Sequence, residues 1–209
     1  MRLIAISGWI GCGKDTVAEY LIKKYSFRRE SMAKSLKDAV SAIFNWDRDM
    51  LEGSTPISRE WRETRDEWWS TRLGFDISPR SALQNVGTEL FREQFDQNIW
   101  VLSLENRIIC SENDSIVITD CRFPNEIEMI RRLGGRTVWV QRGPEPNWYH
   151  TAIAACRGDS QALSYMIEHN IHASEWKWVD TEFDYVLTNN NTLADLHNGI
   201  ENMISSFSW

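Results

Sequence analysis

Gly8-Trp9-Ile10-Gly11-Cys12-Gly13-Lys14-Asp15-Thr16 is the stretch that decides how the rest of the chain is read. Backbone N–H groups can surround a phosphate chain only where side chains stay out of the way. Gly8, Gly11 and Gly13 allow that approach, and Lys14 adds a point charge for the β- and γ-phosphates. The flanks fit as well. Arg2–Ser7 is an apolar run that reads as a buried strand, and Thr16–Tyr25 reads as a helix with Val17, Tyr20, Leu21 and Lys24 at helical spacing. A helix starting there aims its dipole and unpaired N–H groups at a bound anion. The stretch is a phosphate loop, and it predicts a nucleoside triphosphate ligand. Asp15 stands where the general motif has Ser or Thr for Mg²⁺, so Asp15 and Thr16 are both metal candidates.

Further strand-like runs recur at Phe27–Glu30, Ser115–Asp120, Arg136–Gln141 and Asp184–Thr188, with helical segments between them. Alternation of this kind predicts an α/β fold with a mostly parallel five-stranded sheet between two helical layers. Ligands of such sheets sit beyond the carboxyl ends of the strands. The phosphate loop, Asp120 and Arg142 all fall there. The interval between the second and third strands holds no convincing strand. Its pattern predicts helices over Ala33–Asn45, Ser58–Arg72, Pro79–Phe95 and Asn98–Cys110. The plan is one domain: a core of 1–32, 111–142 and 178–209, a helical insertion at 33–110 and a lid-like segment at 143–177.

Asp120-Cys-Arg122-Phe-Pro124-Asn-Glu126 follows the third strand. An aspartate in that position can hold Mg²⁺, directly or through water, and Arg122 can bind a phosphoryl group. The plain alternative is a helix-capping aspartate beside a surface arginine. Within Pro79–Arg92, polar side chains recur at every fourth position: Arg80, Gln84, Thr88 and Arg92, with Leu83, Val86 and Leu90 on another face. Two arginines can take a phosphate bidentately and Gln84 can read a base edge; a solvated helix face would look the same. Gly87 inside this helix predicts a close packing neighbour, since glycine there costs about 1 kcal/mol. Trp61, Arg65, Trp68 and Arg72 would share one face of the helix at 58–72, as a packing ladder more than a base-stacking surface. His172-Ala-Ser174-Glu175 reads as a capping cluster, and Thr192 as the cap of a last helix, Leu193–Ser206.

Composition sets the outer limits. At 209 residues and 42% hydrophobic, the chain can bury one full core. Its net charge of −7 argues against a nucleic-acid polymer as partner. The four cysteines show no metal-ligand spacing, which predicts reduced thiols in a cytoplasm. The short apolar start predicts neither a secretory leader nor a membrane span. Several of the eleven tryptophans are expected in the core.

With these residues in view, the chain resembles the bacteriophage deoxynucleoside monophosphate kinases, within the P-loop nucleoside monophosphate kinase superfamily. The likeness spans nearly all of it. It rests on Gly13-Lys14-Asp15-Thr16, Ala33 with Leu36-Lys37, Leu83-Gln84 with Gly87-Thr88 and Arg92, Ile99-Trp100-Val101, Asp120 through Glu126, Arg131 with Gly134-Gly135, His172 with Ser174-Glu175, and Asn189. In that family Gly-Lys-Asp-Thr is usual, so Asp15 departs only from the general motif. The resemblance implies a three-layer P-loop kinase fold and Mg²⁺-dependent transfer of the ATP γ-phosphate to a deoxynucleoside monophosphate. It places ATP on Gly8 through Thr16 and near Asn189. It places the monophosphate on Lys37, Arg80, Gln84, Thr88, Arg92, Trp100, Glu126 and Glu175, and the chemistry on Lys14, Asp15, Asp120, Arg122 and Arg142. It also implies action in the cytoplasm, of the host if the chain is viral, and leaves a homodimer open. Two rivals remain at this point: another small-molecule kinase (of dephospho-coenzyme A or a polynucleotide 5′-hydroxyl), and a nucleotide-binding regulator without transfer activity.

Overall fold

The structure is a computed structural model and describes residues 1–111 and 115–209. In chain order its elements are β1 (Arg2–Ser7), α1 (Lys14–Tyr25), β2 (Arg28–Glu30), α2 (Lys34–Phe44), α3 (Arg48–Glu52), α4 (Pro56–Glu63), α5 (Glu67–Leu73), α6 (Pro79–Gln84), a π-helix (Asn85–Arg92), α7 (Ile99–Ile109), β3 (Ser115–Ile118), α8 (Pro124–Arg132), β4 (Arg136–Gln141), α9 (Tyr149–Cys156), α10 (Ser160–Glu168), α11 (Ala173–Trp176), β5 (Tyr185–Thr188) and α12 (Leu193–Ser206). They form two compact units, Met1–Ser31 with Arg107–Trp209, and Met32–Asn106. Residues 143–177 fall within the first unit.

The first unit is built on a five-stranded sheet in the order β2-β3-β1-β4-β5, parallel throughout. β1 is central, with Ala5 opposite Ile118 on one side and Ser7 opposite Trp139 on the other. Its alternating residues serve both faces. Ile4 and Ile6 pack with Val17 and Leu21 of α1 and with Leu196 and Ile200 of α12. Leu3 points the other way, where a Cβ on Gly135 would come within 2.9 Å of it and 2.8 Å of Ile130 on α8. Burial on both faces is why these strands are unbroken apolar runs. Thr192 caps α12 through the Asp195 N–H, closing a reciprocal box with the Asp195 carboxylate.

The second unit has a core of its own: Val40, Trp46, Leu51, Ile77, Ala82 and Leu83, with Phe44, Trp61 and Trp69 packed on it. The predicted helix over 58–72 is two helices. α4 ends at Glu63, and Asp66 starts α5 by accepting from the Trp69 N–H (2.9 Å) while its other oxygen takes the Trp46 indole N–H (2.7 Å). The break puts Arg65 in the turn, so Trp61, Arg65, Trp68 and Arg72 do not share a helical face. Trp61 and Trp69 are core rings; Trp68 is exposed and lies under the Arg72 guanidinium. The predicted helix over Pro79–Phe95 is α6 continued by the π-helix. Leu90 of the expected apolar face is 57% exposed. Gly87 meets the anticipated neighbour: a Cβ there would lie 2.7 Å from Leu36.

Among the described residues no helix is long and apolar enough to cross a membrane.

Candidate functional site

In the first unit, the phosphate loop leaves β1 and enters α1 as expected. Gly8, Gly11 and Gly13 all have positive φ, at 145°, 78° and 104°. A side chain at Gly8 would also meet the Val140 carbonyl oxygen at 2.5 Å. Gly13 occupies the N-cap of α1, and no side chain caps the helix. Its first-turn N–H groups are therefore presented to whatever anion sits on the loop. Lys14 folds back over the loop, its Nζ donating to the Gly8 and Trp9 carbonyls at 2.6 and 2.9 Å. Burial holds its ammonium below the usual lysine range; Arg122 pushes the same way, and Cys12, Asp15 and Glu175 oppose it.

Two sets of contacts to later segments fix the shape of the loop. Asn189, at the end of β5, donates its side-chain amide to the Cys12 carbonyl (2.8 Å), and its backbone N–H reaches Gln141 O (2.8 Å). A methyl on Gly13 would run into that amide. Trp9 inserts among Trp139, Trp148, Tyr149 and Trp178, with ring centroids 5.4 to 6.2 Å away. These contacts attach the loop to β4, α9 and the turn after α11.

Asp15 leans out of the first turn of α1, largely exposed, and pairs with Arg29 of β2. The same Arg29 nitrogen donates to Thr119 Oγ1 at 2.6 Å, one residue before Asp120. Arg29 belongs to none of the motifs in the sequence. The available signal was a pair of arginines inside a strand of an otherwise apolar parallel sheet. The turn carrying Asp120 is tied to β1 by Ser7 Oγ, which donates to Cys121 O (2.9 Å). Pro124 opens α8, and one oxygen of buried Glu126 accepts from the Arg122 and Phe123 N–H groups at 2.6 and 3.0 Å. That bond makes Glu126 the N-terminal anchor of α8. Arg122 extends to Glu175 of α11, Nη1 to Oε1 2.5 Å. Arg142, exposed after β4, donates to the Gly11 carbonyl at 3.3 Å. Lys14, Asp15, Thr16, Asp120, Arg122, Arg142, Glu175 and Asn189 are thus gathered at the carboxyl end of one sheet.

In the second unit, Arg80 lies within the Ser78–Ser81 capping box and pairs with Glu63 at the surface (2.7 Å). Gln84 and Thr88 are exposed and Arg92 is half-buried. A π-helix bonds to i−5 and holds more residues per turn than an α-helix. Four residues then fall just short of a full turn, which keeps Gln84, Thr88 and Arg92 near one line. Trp100 is buried and donates its indole N–H to the Gly87 carbonyl (2.9 Å), bracing the π-helix from behind. Lys37 pairs with Glu52 at 2.5 Å.

The family model for deoxynucleotide monophosphate kinase matches residues 59–152. That range includes the polar stripe, Asp120, Arg122 and Arg142, and omits the phosphate loop. The chain is 29% identical to a protein of Acanthamoeba polyphaga mimivirus described as a deoxynucleotide monophosphate kinase, over 100% of this chain and 98% of that one. It is 29% identical to the deoxynucleoside-5′-monophosphate kinase of Escherichia phage T5, over 62% of this chain and 71% of that one. Dephospho-CoA kinase from Campylobacter jejuni is a structural neighbour (TM-score 0.46, 18% identity, 98% of this chain and 96% of that one).

Proposed function

We infer that this chain, which belongs with the viral deoxynucleotide monophosphate kinases in the P-loop kinase superfamily, carries the γ-phosphoryl group of ATP to a deoxynucleoside monophosphate. The observation that carries this reading is the uncapped start of α1 behind three positive-φ glycines and Lys14, in a chain whose 59–152 region matches the kinase family.

The chemistry asks little beyond position and charge. An oxygen of the acceptor phosphate attacks the γ-phosphorus, the bond to the β–γ bridging oxygen breaks, and ADP leaves with that oxygen. The acceptor's second pKa is about 6, so it is mostly dianionic near neutrality and needs no strong base. The loop N–H groups and Lys14 bind the β- and γ-phosphates. To do so Lys14 exchanges the Gly8 and Trp9 carbonyls for phosphate oxygens. Arg122 and Arg142 supply charge where it develops in the transition state. In the second unit, Arg80 and Arg92 are the phosphate ligands proposed for the acceptor, with Gln84 and Thr88 as its polar neighbours and Lys37 as a further cation. Trp100 supports the stripe by bracing the π-helix at the Gly87 carbonyl; in the first unit, Glu126 acts through the start of α8. Asn189 likewise holds the loop that takes ATP.

Mg²⁺ suits the oxygen donors present. Among the described residues no group of three His, Cys, Asp or Glu could cage a metal. Mg²⁺ instead takes one or two protein oxygens plus substrate phosphates, a set that Thr16 with Asp120 or Asp15 provides. When bound it would neutralise charge on the β- and γ-phosphates.

The test is direct: protein with ATP and Mg²⁺ against deoxynucleoside monophosphates, their ribose counterparts, dephospho-coenzyme A and a 5′-hydroxyl oligonucleotide. Deoxynucleoside diphosphates should form fastest. Ribonucleotides should be slower by about 10²-fold or less, since an apolar wall rejects an added hydroxyl only modestly. Product from the alcohol acceptors alone would overturn the assignment.

A further inference from the structure

His172, Ser174 and Glu175 make a short turn whose polar groups are already engaged with one another. His172 Nδ1 accepts the Ser174 N–H (3.2 Å), and the Glu175 N–H donates to His172 O (2.9 Å). Trp176, 4% exposed, seals the turn into the first unit, its indole N–H donating to Ile171 O at 3.2 Å. The Glu175 backbone is thereby fixed, and its carboxylate, 22% exposed, reaches Arg122 Nη1 at 2.5 Å. Arg122 is fixed from its own side, since its N–H is held at 2.6 Å by Glu126, a carboxylate 3% exposed. Both members of the pair are therefore anchored through the backbone before any ligand arrives.

We propose that Glu175 is a positioning residue for Arg122: it holds one arm of the guanidinium so that the remaining N–H groups meet the phosphoryl group only as it transfers. This rests on the proposed reading of Lys14 and Arg122 as phosphate ligands. The turn that carries Arg122 lies beside the phosphate loop, since Ser7, one residue before Gly8, donates to Cys121 O at 2.9 Å; both charges of the pair act on the Lys14 ammonium. An arginine left loose there would close on the phosphates of bound ATP, an interaction made equally in ground and transition states, which lowers KM without raising kcat. Held by Glu175, its charge is withheld from the ground state. The carboxylate also opposes anion binding on the loop. Tight substrate binding is thus exchanged for turnover.

The experiment is a double-mutant cycle of Glu175→Gln and Arg122→Met, with kcat, both KM values and ATP affinity by calorimetry on all four proteins. Glu175→Gln should lower kcat at least tenfold while ATP binds at least threefold more tightly, with the KM for the monophosphate changing less than twofold. In the Arg122→Met background the same substitution should change kcat less than twofold. A merely structural role would weaken ATP binding, or leave it unchanged, with equal losses in both backgrounds, and that result overturns the proposal. A raised KM for the monophosphate at unchanged kcat would overturn it too, returning Glu175 to the acceptor. A wild-type protein that binds ATP and forms no deoxynucleoside diphosphate defeats the function and not this inference, which ATP affinity across the cycle still decides: the gain from Glu175→Gln should shrink below twofold in the Arg122→Met background, and an equal gain in both backgrounds overturns the proposal.

Discussion

Lys14→Met should abolish transfer and leave the fold nearly as stable as before. The catalytic loss follows from charge. An ammonium about 4 Å from a phosphate charge, at an effective dielectric of about 20, is worth about 4 kcal/mol, or about a thousandfold in rate. The effect on stability has two opposed parts. Lys14 donates to the Gly8 and Trp9 carbonyls, and these would lose their donor. Against this, burial dominates the lowering of its pKa, so the charged side chain is less stable in the folded chain than in the unfolded one. A folded-state pKa below the unfolded value adds stability above the unfolded pKa and loses it as pH falls through the folded one. At neutral pH the ammonium is therefore a net cost to the fold, and its removal offsets the lost hydrogen bonds. The net should stay within about 1 kcal/mol, or about 2–4 °C in Tm for a chain of this size. Steady-state kinetics and a melting curve on the same preparation check both halves. Turnover within tenfold of wild type would refute the phosphate role. A Tm lower by ten degrees or more would instead make the lysine a structural pin.

Two further outcomes follow from other positions. Asp120→Asn should keep ATP binding within a few-fold and lower turnover at least tenfold, with a higher Mg²⁺ requirement in a metal titration; a loss confined to monophosphate KM would place it in the acceptor site. Gly87→Ala should destabilise the second unit by about 1–3 kcal/mol, the range for overpacking, because the new methyl meets Leu36 side-chain carbon at 2.7 Å. Chemical denaturation would show it, and an unchanged midpoint would mean that Leu36 moves aside freely.

The parts of the fold visible in the sequence are those with one dominant local cause. β1 and β4 are apolar runs bounded by glycine, and α12 begins at a threonine with its capping partner three residues on, so their limits match the structure. The single helix expected over 58–72 is two helices: apolar spacing continues across Thr64-Arg65-Asp66 while the helical backbone does not. Asp66 ahead of Glu67-Trp68-Trp69 is the local signal that one helix stops and another starts. The π-helix is illegible for a different reason: residues four apart stay near one line whether the backbone bonds reach i−4 or i−5, so Gln84, Thr88 and Arg92 give the same stripe in either. In the site, glycines, the lysine and strand-end acids announce themselves by position. Pairings such as Arg29 with Asp15, or Arg122 with Glu175, join distant segments, and a single sequence holds no sign of which cation meets which acid.

The attachment of the phosphate loop also sets an order of assembly. Its residues are synthesised ahead of their partners: Cys12 waits for Asn189, 177 positions later, and Trp9 for Trp139, Trp148 and Trp178. A nascent chain can carry all the glycines and Lys14 and still be unable to grip a nucleotide until β5 has entered the sheet. Long-range closures of this kind are slow to form, so affinity for ATP should appear late in refolding, after most of the helix signal has returned. The nucleotide would then stabilise only chains that have completed the sheet.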